Sequence, residues 1–380
     1  MYRMGPLAGI HVLDLASFIA GPYAAMLLGD MGASVIKVEP PGGDLSRAWA
    51  PFVKGESRFF LAWNRNKRGM VLDLKQSEAR EILYALVRRA DVVIENFRLG
   101  VTGKLGIDYP SLSRINPRLI YASSTAFGSR GPEAPRPGYD PVLQAIGGAA
   151  RLNARFNGGR DAICGIAVAD FQAAMLIVAA VTAALFHRER SGQGQMIETS
   201  LLQAIMTLQP HYFVQALECE EEGGLGIYPY RLFETSEGAI FIAAGTDKFW
   251  RLFCEAICAP ELGTDARYAT NSLRVQSGEK LTALLQPLLF QKSASEWEQI
   301  LVQAGVPCGR VCSHQEFFDH PQVAAMNMDP VVPHPGIGPV RTFGSPMEFE
   351  KTPASIRRPA PRLGEHTEEI LAELDQEELK

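Results

Sequence analysis

The sequence has little surplus charge of either sign. Its 37 Lys and Arg stand against 42 Asp and Glu, a net charge of −5 at pH 7. No basic stripe is left over for nucleic acid or an anionic membrane surface. Any anionic ligand has to be met by a few local cations. The opening residues MYRMGPLAGIHVLDL carry no sustained apolar core before a small-residue cleavage site, so no export leader is read. The longest apolar run, Ala173–Phe186, is short for a bilayer and reads as a buried helix. The expected location is the cytoplasm. Cysteine is sparse, with six in 380 residues: Cys164, Cys219, Cys254, Cys258, Cys308 and Cys312. Free thiols are the expectation in a reducing compartment. The pairs Cys254/Cys258 and Cys308/Cys312 are spaced more widely than the usual zinc knuckle, so no metal site is expected. Neither internal repeats nor low-complexity tracts occur.

Short apolar strands are plentiful. GIHVLDL, ASVIKVE, GMVLDL, DVVIENF and PRLIYASSTAFG each read as one. GPYAAMLLGDMG and SEAREILYALVRRA read as helices between them, the second with Ser77 as its N-cap. This rhythm predicts an α/β fold: a large Rossmann-like domain with a mostly parallel sheet covered on both faces. Loops rich in Gly, Pro and Arg follow, broken by a short helix near Val142–Gly147. Ile166–Glu189 is a long helix stopped by a turn at Gly192 and Gly194. QMIETSLLQAIMTLQPHYFVQAL then suggests a short strand and a long helix. The acidic, glycine-rich Glu218–Gly226 reads as a linker. Beyond it, GAIFIAAG is a strand, and DKFWRLFCEAI, SGEKLTALLQPLLF and SEWEQILVQAG are helices. The expected division is 1–217 for the large domain, 218–325 for a smaller α+β domain, and 326–380 for a return to the first.

The first strand-to-helix turn, ASFIAGPYAAMLLGDMG, lacks the G-x-G-x-x-G that lets a backbone touch a pyrophosphate. Bulky Tyr23 stands where the second glycine would be. Glu39, at the end of the second strand, is the one match, in the place of a ribose-binding acid. A nucleotide-like scaffold with a different ligand is expected.

One acid stands out. Asp170 heads the longest apolar run, where its local pattern fits a helix N-cap. Its wider setting suggests more. LDLASFIAGPYAAMLLGDMGASVIKVEPPGGD, NRNKRGMVLDLK, ADVVIENFRLGV, NPRLIY, GYDPVLQAIGG, RERSGQGQ and APRLGEHT together resemble the class III CoA-transferase family nearly end to end. The resemblance implies a Rossmann-like domain built from both chain ends, a small inserted domain, and a homodimer of interlocked rings. It implies CoA transfer from an acyl-CoA to a small organic acid, with CoA thioester as substrate and no permanently bound cofactor.

The resemblance makes Asp170 the nucleophile, forming first a mixed anhydride and then an aspartyl-CoA thioester. A carboxylate carrier suits this exchange, because its acyl derivatives stay reactive without ATP. The resemblance also implies CoA contacts at Phe18, Ile19, Ala20, Leu72, Lys75, Asn96, Phe97, Arg98, Lys104 and Tyr139. Pro40 stands where relatives often have arginine. AAGTD, Ala243–Asp247, matches a glycine-rich loop that closes over the site in relatives, but keeps one glycine. An alpha-methylacyl-CoA racemase-like isomerase is the alternative. Racemization needs a base on each side of the alpha carbon, and Tyr139 stands where those relatives carry histidine. Arg47, Arg136 and Arg151 are candidates for holding a second substrate carboxylate.

Overall fold

A computed structural model describes residues 5–154, 158–214 and 226–378. The chain forms two compact units. One comprises Met1–Ala154, Arg160–Phe213 and Gln322–Lys380; the other comprises Arg155–Gly159 and Val214–Pro321. The main division thus falls four residues before each of the positions, 218 and 325, expected from sequence. The proposed linker lies outside the described residues, Gly226 excepted.

The first unit is built on six strands: β1 (His11–Asp14), β2 (Ser34–Glu39), β3 (Lys67–Val71), β4 (Val92–Glu95), β5 (Ile120–Thr125) and β6 (Met196–Ser200). Their spatial order is β3-β2-β1-β4-β5-β6, and every neighbouring pair is parallel. Side chains alternate across the sheet, so consecutive residues feed opposite cores. Val12, Val92, Ile94, Ile120 and Ala122 pack with helices α1 (Ala20–Asp30) and α4 (Val168–Ser191). Leu13, Val93 and Tyr121 face the other way, onto α2 (Ser77–Val87) and the terminal helix Thr367–Glu378. The order reverses between β1 and β4. Connections leave that point in opposite directions and open a crevice at the strands' carboxyl ends.

By length and composition α4 would pass for a membrane span. Instead it buries Ala174, Ile177, Val178, Val181 and Ala184 in the core shared with α1. Its end needs the turn read from sequence. Gly192 adopts φ 73°, and a Cβ on Gly194 would lie 2.0 Å from the Leu119 carbonyl oxygen.

Two local expectations are corrected. Ser77 is the first helical residue of α2, not its cap. Gln76 is the extended residue before it, and the Ser77 hydroxyl turns to Glu78 instead. The helix after β6 is short, Leu201–Thr207, and a 3-10 turn at Pro210–Phe213 follows. Pro210 cannot donate the hydrogen bond that would continue the helix.

The second unit has a three-stranded antiparallel sheet in the order Cys308–Arg310, Ala239–Ala243, Tyr230–Glu234. Helices Asp247–Ala256, Gly278–Leu289 and Ala294–Gln303 cover it around Trp250, Phe253, Leu281, Leu285, Trp297 and Leu301. Its outer strands escape a sequence reading because they are short and mostly exposed or half-buried, leaving no apolar run.

Candidate active site

Asp170 does not cap α4. The cap position is Ala167, which makes no side-chain bond, and Asp170 sits within the first turn. The capping carboxylate arrives from another helix. Asp140 opens α3 (Asp140–Ile146), is 3% exposed, and accepts the Ala169 N–H at 2.6 Å. The same oxygen lies 3.4 Å from the Asp170 nitrogen. Gln144, one turn along α3, donates to the other Asp140 oxygen and to the carbonyls of Cys164 and Ile166. Its own carbonyl accepts the Cys164 N–H at 2.8 Å. Two side chains of α3 thereby fix the segment that delivers Asp170. Asp140 was missed as a functional candidate. The available signal was the spacing of Asp140 and Gln144, which puts both on one face of α3.

The charge on Asp170 follows from this placement. Burial and the neighbouring Asp140 carboxylate push its pKa up from 3.8 to about 7, against the pull of a hydrogen bond from the Ala20 N–H. Ala20 is the first residue of α1, whose N-terminus has no side-chain cap. Near neutral pH the carboxyl is therefore poised between its acid and its nucleophilic form.

The remaining sequence-derived residues line the carboxyl edge of the sheet. Phe18 follows β1 at φ 65°, the left-handed region. Its ring meets Trp49 edge-on at 5.1 Å and Tyr139 at 5.7 Å. Ile19 precedes α1, and Tyr139 is an exposed residue just ahead of Asp140. Phe18, Ala20, Tyr139, Asp140 and Asp170 thus gather beyond β1. Past β4, Asn96 exchanges two hydrogen bonds with Ser17, at 2.8 and 2.7 Å. Phe97 packs partly buried against the α2 core, while Arg98 and Lys104 are exposed. Past β3, Leu72 is buried and Lys75 exposed. These groups share one edge of the sheet but end different strands.

Other candidates are already engaged. Arg47 grips Glu39 with two bonds of 2.7 Å and lies over the Phe60 ring, so neither partner is free for substrate or ribose. Arg136 bonds Glu133 at 2.7 Å, and Arg151 pairs with Asp161 at 3.1 Å, both on the surface. Ala243–Asp247 belongs to the second unit. There the buried Arg274 holds the Gly245 carbonyl at 2.7 Å and Asp247 at 2.8 Å. A Cβ on Gly245 would fall 1.8 Å from the Ile227 side chain, so packing alone accounts for this glycine.

The profile described as CoA-transferase family III matches residues 7–367. Succinate–glutarate CoA-transferase of Agrobacterium fabrum is 38% identical over 98% of this chain and 96% of that protein. Succinyl-CoA:glutarate CoA-transferase of Mus musculus is 34% identical over 98% of this chain and 87% of that protein. Among solved structures, a CAIB/BAIF family protein from Brucella suis superposes with a TM-score of 0.86 at 37% identity, over 98% of this chain and 100% of that one.

Proposed function

The chain belongs to CoA-transferase family III, and from that premise we propose that Asp170 is the carboxylate through which it passes coenzyme A between two acids. Asp170 attacks the carbonyl of the donor acyl-CoA. The C–S bond breaks, leaving an aspartyl–acyl anhydride and CoA thiolate. The thiolate attacks the aspartyl carbonyl, releasing the donor acid and forming an aspartyl-CoA thioester. The acceptor carboxylate attacks that thioester, giving a second anhydride and thiolate. The thiolate then takes the acceptor acyl group, and the Asp170 carboxylate is restored. Every step conserves an activated acyl bond, so no ATP is consumed.

The observation that carries this reading is the setting of Asp170. It is a half-buried carboxyl beside one donor, the Ala20 N–H, at the crevice where the strand order reverses. Backbone donors of this kind suit the oxyanions of acyl transfer, and limited water suits intermediates that hydrolyse readily. Arg98 and Lys104 would meet the phosphates of CoA, with Asn96 and Phe97 among its contacts. Leu72 and Lys75 would lie near its adenine, the Phe18–Ala20 backbone would run beside its pantetheine arm, and Tyr139 would stand near the reacting carbonyl. The two relatives are named for succinate and glutarate. Short dicarboxylic acids are accordingly the substrates we propose, with a cytoplasmic homodimer as the working form and no resident cofactor. A racemase is disfavoured by Tyr139, which occupies the place of the second base.

Incubation with succinyl-CoA and glutarate, with CoA esters detected by mass, should yield glutaryl-CoA. Single-turnover reaction with an acyl-CoA should leave hydroxylamine-trappable label on Asp170. Normal transfer by Asp170→Ala, or alpha-proton exchange with deuterated water in place of a new thioester, would sink the assignment.

A further inference from the structure

Five consecutive backbone polar groups between β1 and α1 are satisfied by side chains instead of by strand or helix. The Ala16 N–H donates to Asp14 Oδ1 at 3.1 Å, and its carbonyl accepts from Lys37 Nζ at 2.8 Å. The Ser17 N–H donates to Asn96 Oδ1, and its carbonyl accepts from Asn96 Nδ2. The Phe18 N–H donates to Asp44 Oδ1 at 3.3 Å.

These side chains form a connected set. Lys37 lies 2.8 Å from Asp44 and 3.8 Å from Asp14, and Lys67 lies 2.7 Å from Asp14. All four are almost completely buried. Asp44 is steadied further by the Ser46 N–H and hydroxyl, each at 2.8 Å. A buried ion cluster is a poor way to gain stability, since desolvation offsets the attraction. Its place beneath this turn suggests another purpose. Phe18 is held in a left-handed conformation that a residue with a side chain resists, and such a conformation persists only where surroundings over-determine it. Two residues later comes Ala20, which packs in one buried cluster with Ala169 beside Asp170, and whose N–H draws the Asp170 pKa down.

We propose that Asn96 and the Lys37–Asp44 pair are positioning residues, which lock Ala16–Phe18 so that the Ala20 N–H stays on the Asp170 carboxyl throughout acyl transfer. The proposal rests on the reading of Asp170 as carrier. It also gives Asn96 a task other than holding CoA, because both polar atoms of its amide are engaged with Ser17.

Asn96→Ala and Asp44→Ala test it by two readouts. The first is the division of any loss between kcat and the KM for acyl-CoA. The second is the carbon-13 titration of the Asp170 carboxyl in resting protein, its signal identified by absence from Asp170→Asn. For Asn96→Ala, kcat should fall about 10- to 100-fold, less than the roughly 100- to 1000-fold of an oxyanion donor removed outright, with KM changed less than about threefold. The Asp170 midpoint should rise, because the donor that favours its ionised form has moved away. Asp44→Asn, which keeps an acceptor for Phe18, should lose less than Asp44→Ala. A loss confined to KM would make Asn96 a CoA contact and overturn the proposal. A fall in kcat with the titration unmoved overturns it as well, as does wild-type behaviour in both readouts. If Asn96→Ala does not fold, Asn96→Ser is read by the same criteria. The titration needs no turnover, so failure to trap label on wild-type Asp170 would count against the carrier reading alone.

Discussion

Asp140 caps the helix that carries Asp170. One of its oxygens takes the Ala169 N–H at 2.6 Å and stands 3.4 Å from the Asp170 nitrogen. Two carboxylates therefore share one helix terminus, with one committed to the backbone and the other left to react. The favourable end of the α4 dipole is partly neutralised by Asp140 before Asp170 can use it. The proximity of like charge then adds to burial in holding the Asp170 proton.

The pH profile should report this arrangement. Asp170 attacks as the carboxylate, and its pKa stands at about 7. The kcat/KM for acyl-CoA should therefore climb as pH rises through about 7 and level off above it, since this parameter follows the free enzyme. Asp140→Asn removes the like charge but keeps one acceptor. It should move that limb downward by about one pH unit, a shift of the size that nearby charges commonly cause. An unmoved limb would show that burial alone sets the Asp170 pKa.

Stability should carry the same signature with the opposite benefit. The folded protein retains the Asp170 proton up to about 7, whereas a free aspartate carboxyl releases it at about 3.8. Between those values the unfolded chain releases a proton that the folded chain keeps, so rising pH favours unfolding. Stability from this group is thus lost across that window and is constant above it. Asp170→Asn has no such loss. Its advantage over wild type should grow from pH 4 to pH 7 and reach about 4 kcal/mol, or several degrees in Tm. Parallel melting curves at several pH values check this.

Arg47→Ala should act on the fold more than on acid selectivity. Glu39 is 1% exposed and takes two bonds of 2.7 Å from Arg47, besides one of 2.9 Å from the Asp44 N–H. Removing the cation strands a buried carboxylate, a loss of about 3 kcal/mol. Urea denaturation should show it, with the ratio of activities toward monocarboxylic and dicarboxylic acceptors little changed. A selective loss of dicarboxylate activity without destabilisation would restore Arg47 as a substrate contact.

Gly194→Ala should be among the most damaging single-methyl additions. The new carbon would lie 2.0 Å from a backbone oxygen and 2.5 Å from the Arg118 carbonyl carbon, neither of which can rotate aside. We expect about 3 kcal/mol or more of destabilisation. Gly42→Ala is the control, since a Cβ there meets nothing within 4 Å.

Much of the frame was legible because its causes are local. Runs such as HVLD and VVIE are apolar on both faces, as a strand between two helical layers must be. Gly192 and Gly194 mark a helix stop that a chain of larger residues could not make. Ser77 misled because neighbouring residues in a helix start compete for the cap, and Gln76 won by backbone conformation, without any side-chain bond. The outer strands of the second unit left no periodic signal because little of them is buried.

The site divides along the same line. The sequence by itself determined that a carboxylate would stand at the head of an apolar helix, and its motifs carried the family resemblance. Only the tertiary structure decided what that carboxylate meets. Asp140 is 30 residues away in the chain, Ala20 is 150 away, and the cradle beneath Phe18 draws on β1, β2 and the end of β4. Charge state and hydrogen-bond geometry depend on distance in space, which falls to a few ångströms only when the strands assemble. Helix propensity and apolar pattern depend on the neighbours along the chain, and those are already present in the unfolded sequence.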